Sequence, residues 1–192
     1  MKKMNIPFSP PDISDAEIEQ VVAALKSGWI TTGPKTKQLE KEIAEFLGTN
    51  RAACLNSSTA AMEMTLRLLE IGPGDEVIVP AYTYTATCSV VCHVGATPVI
   101  VDTQKDIPEI DYDKLEDVIT EKTKVIMPVD LAGIPCDYDK LYEVLENVKE
   151  KYTPAAGTLQ EKFGRIVVLA DSSHGFGAEK GDKKAGQLAD FT

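Results

Sequence analysis

The feature that most constrains the fold of this chain is the run Ile166-Val167-Val168-Leu169-Ala170, which ends on Asp171. A short apolar run, mostly β-branched and without polar alternation, predicts a strand covered on both faces, as in a parallel sheet. Asp171 then emerges at the strand's carboxyl edge, where open α/β sheets bind their ligands. A carboxylate there suits a cationic group such as a protonated pyridine nitrogen. It suits a helix cap as well, and taken alone the residue favours the cap.

The rest of the chain alternates in the same style. Ser14-Asp15-Ala16-Glu17 has the form of a capping box, and Ile18, Val21, Val22 and Leu25 follow at helical spacing before Gly28. Leu39, Ile43, Phe46 and Leu47 predict a second amphipathic helix stopped by Gly48. Strand-like runs are expected at Ala52–Leu55, Glu76–Pro80, Thr97–Asp102 and Lys124–Val129, and helices at Thr59–Glu70, Thr85–His93, Tyr112–Ile119 and Tyr138–Lys149. Residues 153–160 read as a loop. Strands alternating with helices imply an α/β fold with a mostly parallel sheet.

Composition narrows the function. The chain has 192 residues and a formal net charge of −10, which argues against sequence-independent nucleic-acid binding, since that depends on Lys and Arg neutralising phosphates. No apolar run approaches the roughly 20 residues that span a bilayer. Met1-Lys2-Lys3 is followed by polar and proline-rich sequence and not by a signal-peptide core, so a cytoplasmic location is the expectation. Cys54, Cys88, Cys92 and Cys136 include no CxxC pair. Cys88, Cys92 and His93 share one predicted helix, but the apolar residues between them favour buried thiols in a reducing compartment over a metal site.

Three strand ends carry the candidate chemistry. Asn56-Ser57-Ser58-Thr59-Ala60 opens a helix, where free N–H groups and the dipole favour an anion and the hydroxyls of Ser58 and Thr59 add donors; a plain Ser/Thr cap is the alternative. Pro80-Ala81-Tyr82-Thr83-Tyr84 offers a tyrosine ring to a flat aromatic ligand, or to core packing. With Asp171, these supply a phosphate anchor, a stacking platform and an anion, which is the set pyridoxal 5′-phosphate (PLP) requires.

At this point a resemblance enters. Gly28-Trp29-Ile30-Thr31-Thr32-Gly33-Pro34, Pro80-Ala81-Tyr82-Thr83-Tyr84, Gly95-Ala96-Thr97-Pro98 and Asp171-Ser172-Ser173-His174-Gly175 together resemble the amino-terminal part of the DegT/StrS family of nucleotide-sugar aminotransferases, over nearly the whole chain. The resemblance implies a type I PLP-transferase fold, of the aspartate aminotransferase kind, and a homodimer with active sites at the subunit interface. Residues 1–192 would then be the amino-terminal part of the PLP-binding large domain, without the remainder of that domain or the small carboxyl-terminal domain. It also implies that Ser58 and Thr59 hold the phosphate, Tyr84 stacks on the ring and Asp171 pairs with its nitrogen. His174 would line the pocket or pack beneath the ring. Thr31 and Thr32 would border the substrate entrance, with a helix-cap role for Thr32 an equal alternative.

The family's Schiff-base lysine lies shortly after the segment matching Ala189-Asp190-Phe191-Thr192, beyond the reach of this chain. Lys180, Lys183 and Lys184 fall in a Gly- and Asp-rich turn where their amines are expected to be solvated, and Lys124 starts a strand; none looks tuned to attack an aldehyde. The implied reaction is a two-stage amino transfer, from an amino acid donor such as glutamate to a keto sugar carried on a nucleotide. Two alternatives stand beside it: a lysine-lacking dehydratase or regulatory protein on the same fold, and a generic nucleotide-binding α/β module, which lacks a G-x-G-x-x-G or P-loop signature. A sheet ending at the Asp-bearing strand is also expected to leave a bare edge.

Overall fold

The computed structural model describes residues 10–192, so the Met1-Lys2-Lys3 segment lies outside the described residues. Four strands, β1 (Glu76–Pro80), β2 (Thr97–Val101), β3 (Thr123–Ile126) and β4 (Val167–Val168), form one sheet in the order β2-β1-β3-β4, each neighbouring pair parallel. The helices are α1 (Asp15–Lys26), α2 (Pro34–Leu47), α3 (Ser58–Leu68), α4 (Thr85–His93), α5 (Leu115–Val118) and α6 (Tyr138–Asn147). A short antiparallel pair, β5 (Glu179–Lys180) and β6 (Lys183–Lys184), follows the Asp171 loop. The parallel α/β architecture expected from the sequence is what the chain forms.

Side-chain alternation divides the core in two. Val77, Val79, Val125, Met127, Val167 and Leu169 face one side, with Met62 and Leu66 of α3 and Val90 and Val91 of α4. Ile78, Ile126, Ile166, Val168 and Ala170 face the other, with Leu115 of α5 and Leu141, Val144 and Leu145 of α6. Both faces of β1, β3 and β4 are therefore dry, which is why those strands read as unbroken apolar runs, whereas the edge strand β2 leaves Ile100 exposed.

Several expectations need correction. Ala52–Leu55 joins no sheet: the amide of Cys54 donates to Glu40 Oε1 at 2.9 Å, tying the segment to α2 instead of to a strand ladder. Tyr112–Ile119 is a 3₁₀ turn followed by the single-turn α5, because the segment is too short to propagate a regular helix. The outer edge of β4 is not bare, since the Ala170 amide donates to Phe191 O at 2.8 Å and the Phe191 amide to Val168 O at 3.2 Å. Asp190 locks this closing segment by accepting the Val168 amide at 2.8 Å and both Arg165 guanidinium nitrogens at 2.7 and 2.8 Å.

Of the four thiols only Cys136 is buried; Cys92 is exposed and Cys54 and Cys88 are half-buried, because α4 turns its Cys92 side outward. His93 is held by Glu63 at 2.9 Å. The lysines of the 180–184 turn are not all solvated either. Lys180 Nζ donates to Cys136 O at 3.1 Å and Asp137 Oδ1 at 2.9 Å, and Lys184 Nζ to Phe46 O at 2.8 Å. Lys124 is buried and donates to the carbonyls of Glu121 and Thr153, both at 2.6 Å, with desolvation lowering its pKa. Among the described residues no helix is long and apolar enough to cross a membrane.

Candidate functional site

The alternation that builds the core also aims the polar residues at its edge. Asp171 continues the series of Val167 and Leu169, so it faces α3 and α4; Asp130, in the series of Ile126, faces α6. The two segments stay side by side past the regular strands, with Val129 and Asp171 in a parallel bridge and the Asp130 amide donating to Asp171 O at 3.0 Å.

Asp171 is only 5% exposed. Its Oδ2 accepts the hydroxyl of the fully buried Thr87 on α4 at 2.8 Å, and its Oδ1 accepts Ser173 Oγ at 2.6 Å and the Ser173 amide at 3.3 Å. Ser173 Oγ lies 2.9 Å from Ser58 Oγ, so the start of α3 and the Asp171 loop meet directly. At that helix start Ser57 is the cap: its Oγ accepts the Ala60 amide at 3.1 Å and its carbonyl the Ala61 amide at 3.1 Å. The amides of Ser58 and Thr59 have no acceptor among the described residues, leaving two open donors at the positive end of the helix.

Tyr84 caps the start of α4 through its backbone only and is 79% exposed, so its ring is free to meet a ligand and takes no part in the core. His174 is exposed, and its Nδ1 accepts the Ala132 amide at 3.2 Å. That bond requires an unprotonated Nδ1 and so places the proton of the neutral ring on Nε2. The structure thus joins Ser58 and Asp171 through Ser173 and sets His174 on the same loop.

Thr31 and Thr32 are not drawn into this network. Both are exposed, and neither bonds to Asp171, Ser58 or Tyr84. Thr32 is not the helix cap either: Gly33 occupies that position without a side-chain bond, because Trp29 folds over it and donates Nε1–H to Thr32 O at 3.0 Å. A Cβ at Gly33 would overlap the Trp29 indole, so any larger residue there would push the ring away.

Sequence reasoning missed two supports of the site. Thr87 carried no signal beyond lying one turn into a predicted helix. Asp130 is 1% exposed, and its Oδ1 accepts the Cys136 amide and the Tyr138 hydroxyl, both at 2.9 Å, while Oδ2 accepts Ser172 Oγ. It clamps the loop after β3 to the loop that carries Asp171. The signal that could have found it is a lone acidic residue ending the apolar run Val125-Ile126-Met127-Pro128-Val129, as Asp171 ends its own. Burial, with the Asp130 charge added, pushes the Tyr138 hydroxyl far above its ordinary pKa, so it stays a donor.

Comparison with known proteins gives one consistent answer. The chain is 36% identical to the spore coat polysaccharide biosynthesis protein SpsC of Bacillus subtilis (strain 168), over 97% of this chain and 44% of that protein. Its fold matches the "Putative sugar aminotransferase Spr1654" of Streptococcus pneumoniae in the PLP-form, with a TM-score of 0.95 and 58% identity, over 97% of this chain and 47% of that one. GDP-4-keto-6-deoxymannose-3-dehydratase is a more distant match, with a TM-score of 0.80 and 26% identity, over 95% of this chain and 45% of that one. The chain thus spans about half the length of the relatives it matches. The model of the DegT/DnrJ/EryC1/StrS aminotransferase family matches residues 11–192, and the chain belongs to that family.

Proposed function

We propose that the intact protein is a PLP-dependent aminotransferase that moves an amino group from an amino acid donor, glutamate for preference, to a nucleotide-linked keto sugar. Residues 1–192 are the amino-terminal part of its cofactor-binding large domain in this reading, and it works as a cytoplasmic homodimer. The observation that carries the proposal is Asp171, a buried carboxylate at the carboxyl edge of a parallel sheet, one hydroxyl away from Ser58 at an open helix start.

The donor set fits the cofactor. Two unpartnered amides and the Ser58 and Thr59 hydroxyls suit a phosphate, an exposed Tyr84 ring suits a flat heterocycle, and Asp171 suits a protonated ring nitrogen. PLP, when bound, supplies an electron sink that lets a C–H bond beside an amino group break. Asp171 would keep the ring nitrogen protonated, because a buried carboxylate stabilises an adjacent cation far more than water does. Tyr84 would orient the ring, and the α3 start would fix the phosphate. Thr31 and Thr32 remain candidates for the substrate entrance, and His174 for the pocket wall. Amino transfer is favoured over dehydration because identity to Spr1654 is 58% and to the dehydratase 26%.

The test is an absorbance titration of the intact protein with PLP, beside its Asp171→Ala variant, followed by glutamate and a nucleotide-linked keto sugar. Saturable binding weakened at least about tenfold by the substitution, equivalent to about 1.4 kcal/mol, and a glutamate-dependent amino sugar product are expected. Binding indifferent to Asp171, or loss of water in place of amine transfer, would overturn the reading.

A further inference from the structure

Asp171 is buried without a cation. Among the described residues no Lys, Arg or His pairs with it. The nearest titratable groups on the adjoining loops point elsewhere: Asp130 faces Tyr138 and Cys136, and His174 Nδ1 is taken by the Ala132 amide. The charge is met by hydroxyls, one for each oxygen, Thr87 on Oδ2 and Ser173 on Oδ1.

A hydroxyl has a single proton and an ionised carboxylate can only accept. Thr87 therefore commits its proton to Asp171, and this fixes the direction of the next bond. Thr83 Oγ1, 2.8 Å from Thr87 Oγ1, must be the donor to it, and Ser173 Oγ shares its proton between Oδ1 at 2.6 Å and Ser58 Oγ at 2.9 Å, which leaves the Ser58 proton for a ligand. One relay, Thr83 to Thr87 to Oδ2, is polarised towards the carboxylate, and Ser173 holds Oδ1 directly.

Hydroxyl donors fix the orientation of both carboxylate oxygens, yet they do not neutralise the group as an arginine would. The negative charge stays available for a cation that arrives with a ligand. We propose that Thr87 and Ser173 are positioning residues that hold the Asp171 carboxylate in place and aimed at the ring nitrogen of PLP. This inference rests on the function proposed above.

It is tested on the intact protein loaded with PLP labelled with ¹⁵N in the ring, by the ring-nitrogen chemical shift, which separates protonated from unprotonated pyridine, and by the PLP dissociation constant. Thr87→Val and Ser173→Ala should each weaken binding about tenfold, as expected for one hydrogen bond to a charged group, and move the shift towards the unprotonated value. Thr87→Ser should restore both. Thr83→Val, one bond further out, should act in the same direction by about two- to threefold. A shift that stays at the wild-type value in folded Thr87→Val and Ser173→Ala, or one that Thr87→Ser fails to restore, overturns the inference. Asp171→Asn keeps the two readings apart. If it leaves binding and shift unchanged, the proposed function itself fails; if it abolishes ring protonation while Thr87→Val and Ser173→Ala do not, only the positioning role fails.

Discussion

Replacing Asp130 with alanine removes an acceptor that three donors share. The Cys136 amide and the Tyr138 hydroxyl are both buried and converge on Oδ1 at 2.9 Å, while the half-buried Ser172 hydroxyl can turn to water. Each buried donor left without a partner costs about 1–3 kcal/mol, so two of them put Asp130→Ala at roughly 4 kcal/mol, a large share of the 5–15 kcal/mol typical of a domain. At about 2–4 °C per kcal/mol for a domain of this size, Tm should fall by roughly 8–16 °C. Asp130→Asn retains the oxygen that both buried donors use and replaces only the one facing Ser172, whose hydroxyl can reverse to accept, so its cost should be about 1 kcal/mol. Urea unfolding at constant m measures the difference. If the alanine and asparagine variants agree within about 0.5 kcal/mol, the acceptor argument is wrong and the charge, or nothing at all, holds the loop.

Gln160 is fully buried, with Nε2–H donating to Leu69 O at 2.8 Å and Oε1 accepting the Ala155 amide at 3.1 Å, so Gln160→Leu should lose roughly 2–4 kcal/mol in the same unfolding assay. Tyr84→Ala should leave Tm within about 2 °C, because the ring is exposed, and weaken PLP binding by up to about tenfold in the absorbance titration. The hydrogen bond from Lys180 holds the Asp137 carboxyl below the usual carboxylate range. A depressed folded-state pKa adds stability above about pH 4 that is lost as pH falls through the folded value. Asp137→Asn should therefore flatten part of the acid limb of a stability profile taken between about pH 5 and pH 2, a small effect on a half-exposed side chain.

The central apolar strands, and Asp171 at the end of one, were legible because burial of β1, β3 and β4 on both faces leaves a continuous pattern that no single turn obscures. The stripe Ile18, Val21, Val22 and Leu25 correctly predicted α1, yet all four side chains are exposed. Periodicity reports that a face is apolar and carries no information about what covers it. Ala52–Leu55 has strand composition but no free ladder beside it, a tertiary fact that no local window contains. Thr87 was illegible for a different reason: a buried threonine is defined by its distant partner, here a residue 84 positions away, whereas Asp130 carried the same strand-end signal as Asp171 and was passed over. Motif resemblance pointed to Asp171, Ser58 and Tyr84 and passed over the buried residues that hold Asp171 and its loop.

The contact between Ser58 and Ser173 joins residues 115 positions apart, and every pairing in the main sheet is parallel. Parallel neighbours cannot be closed by a tight turn, so the sheet assembles through long-range contacts that form slowly. During synthesis the α3 start emerges long before Asp171, and a chain halted between the two holds only one half of the proposed cofactor site. On that proposal cofactor capture is an end-point of folding, and free PLP stabilises by mass action only those molecules in which β4 has already docked.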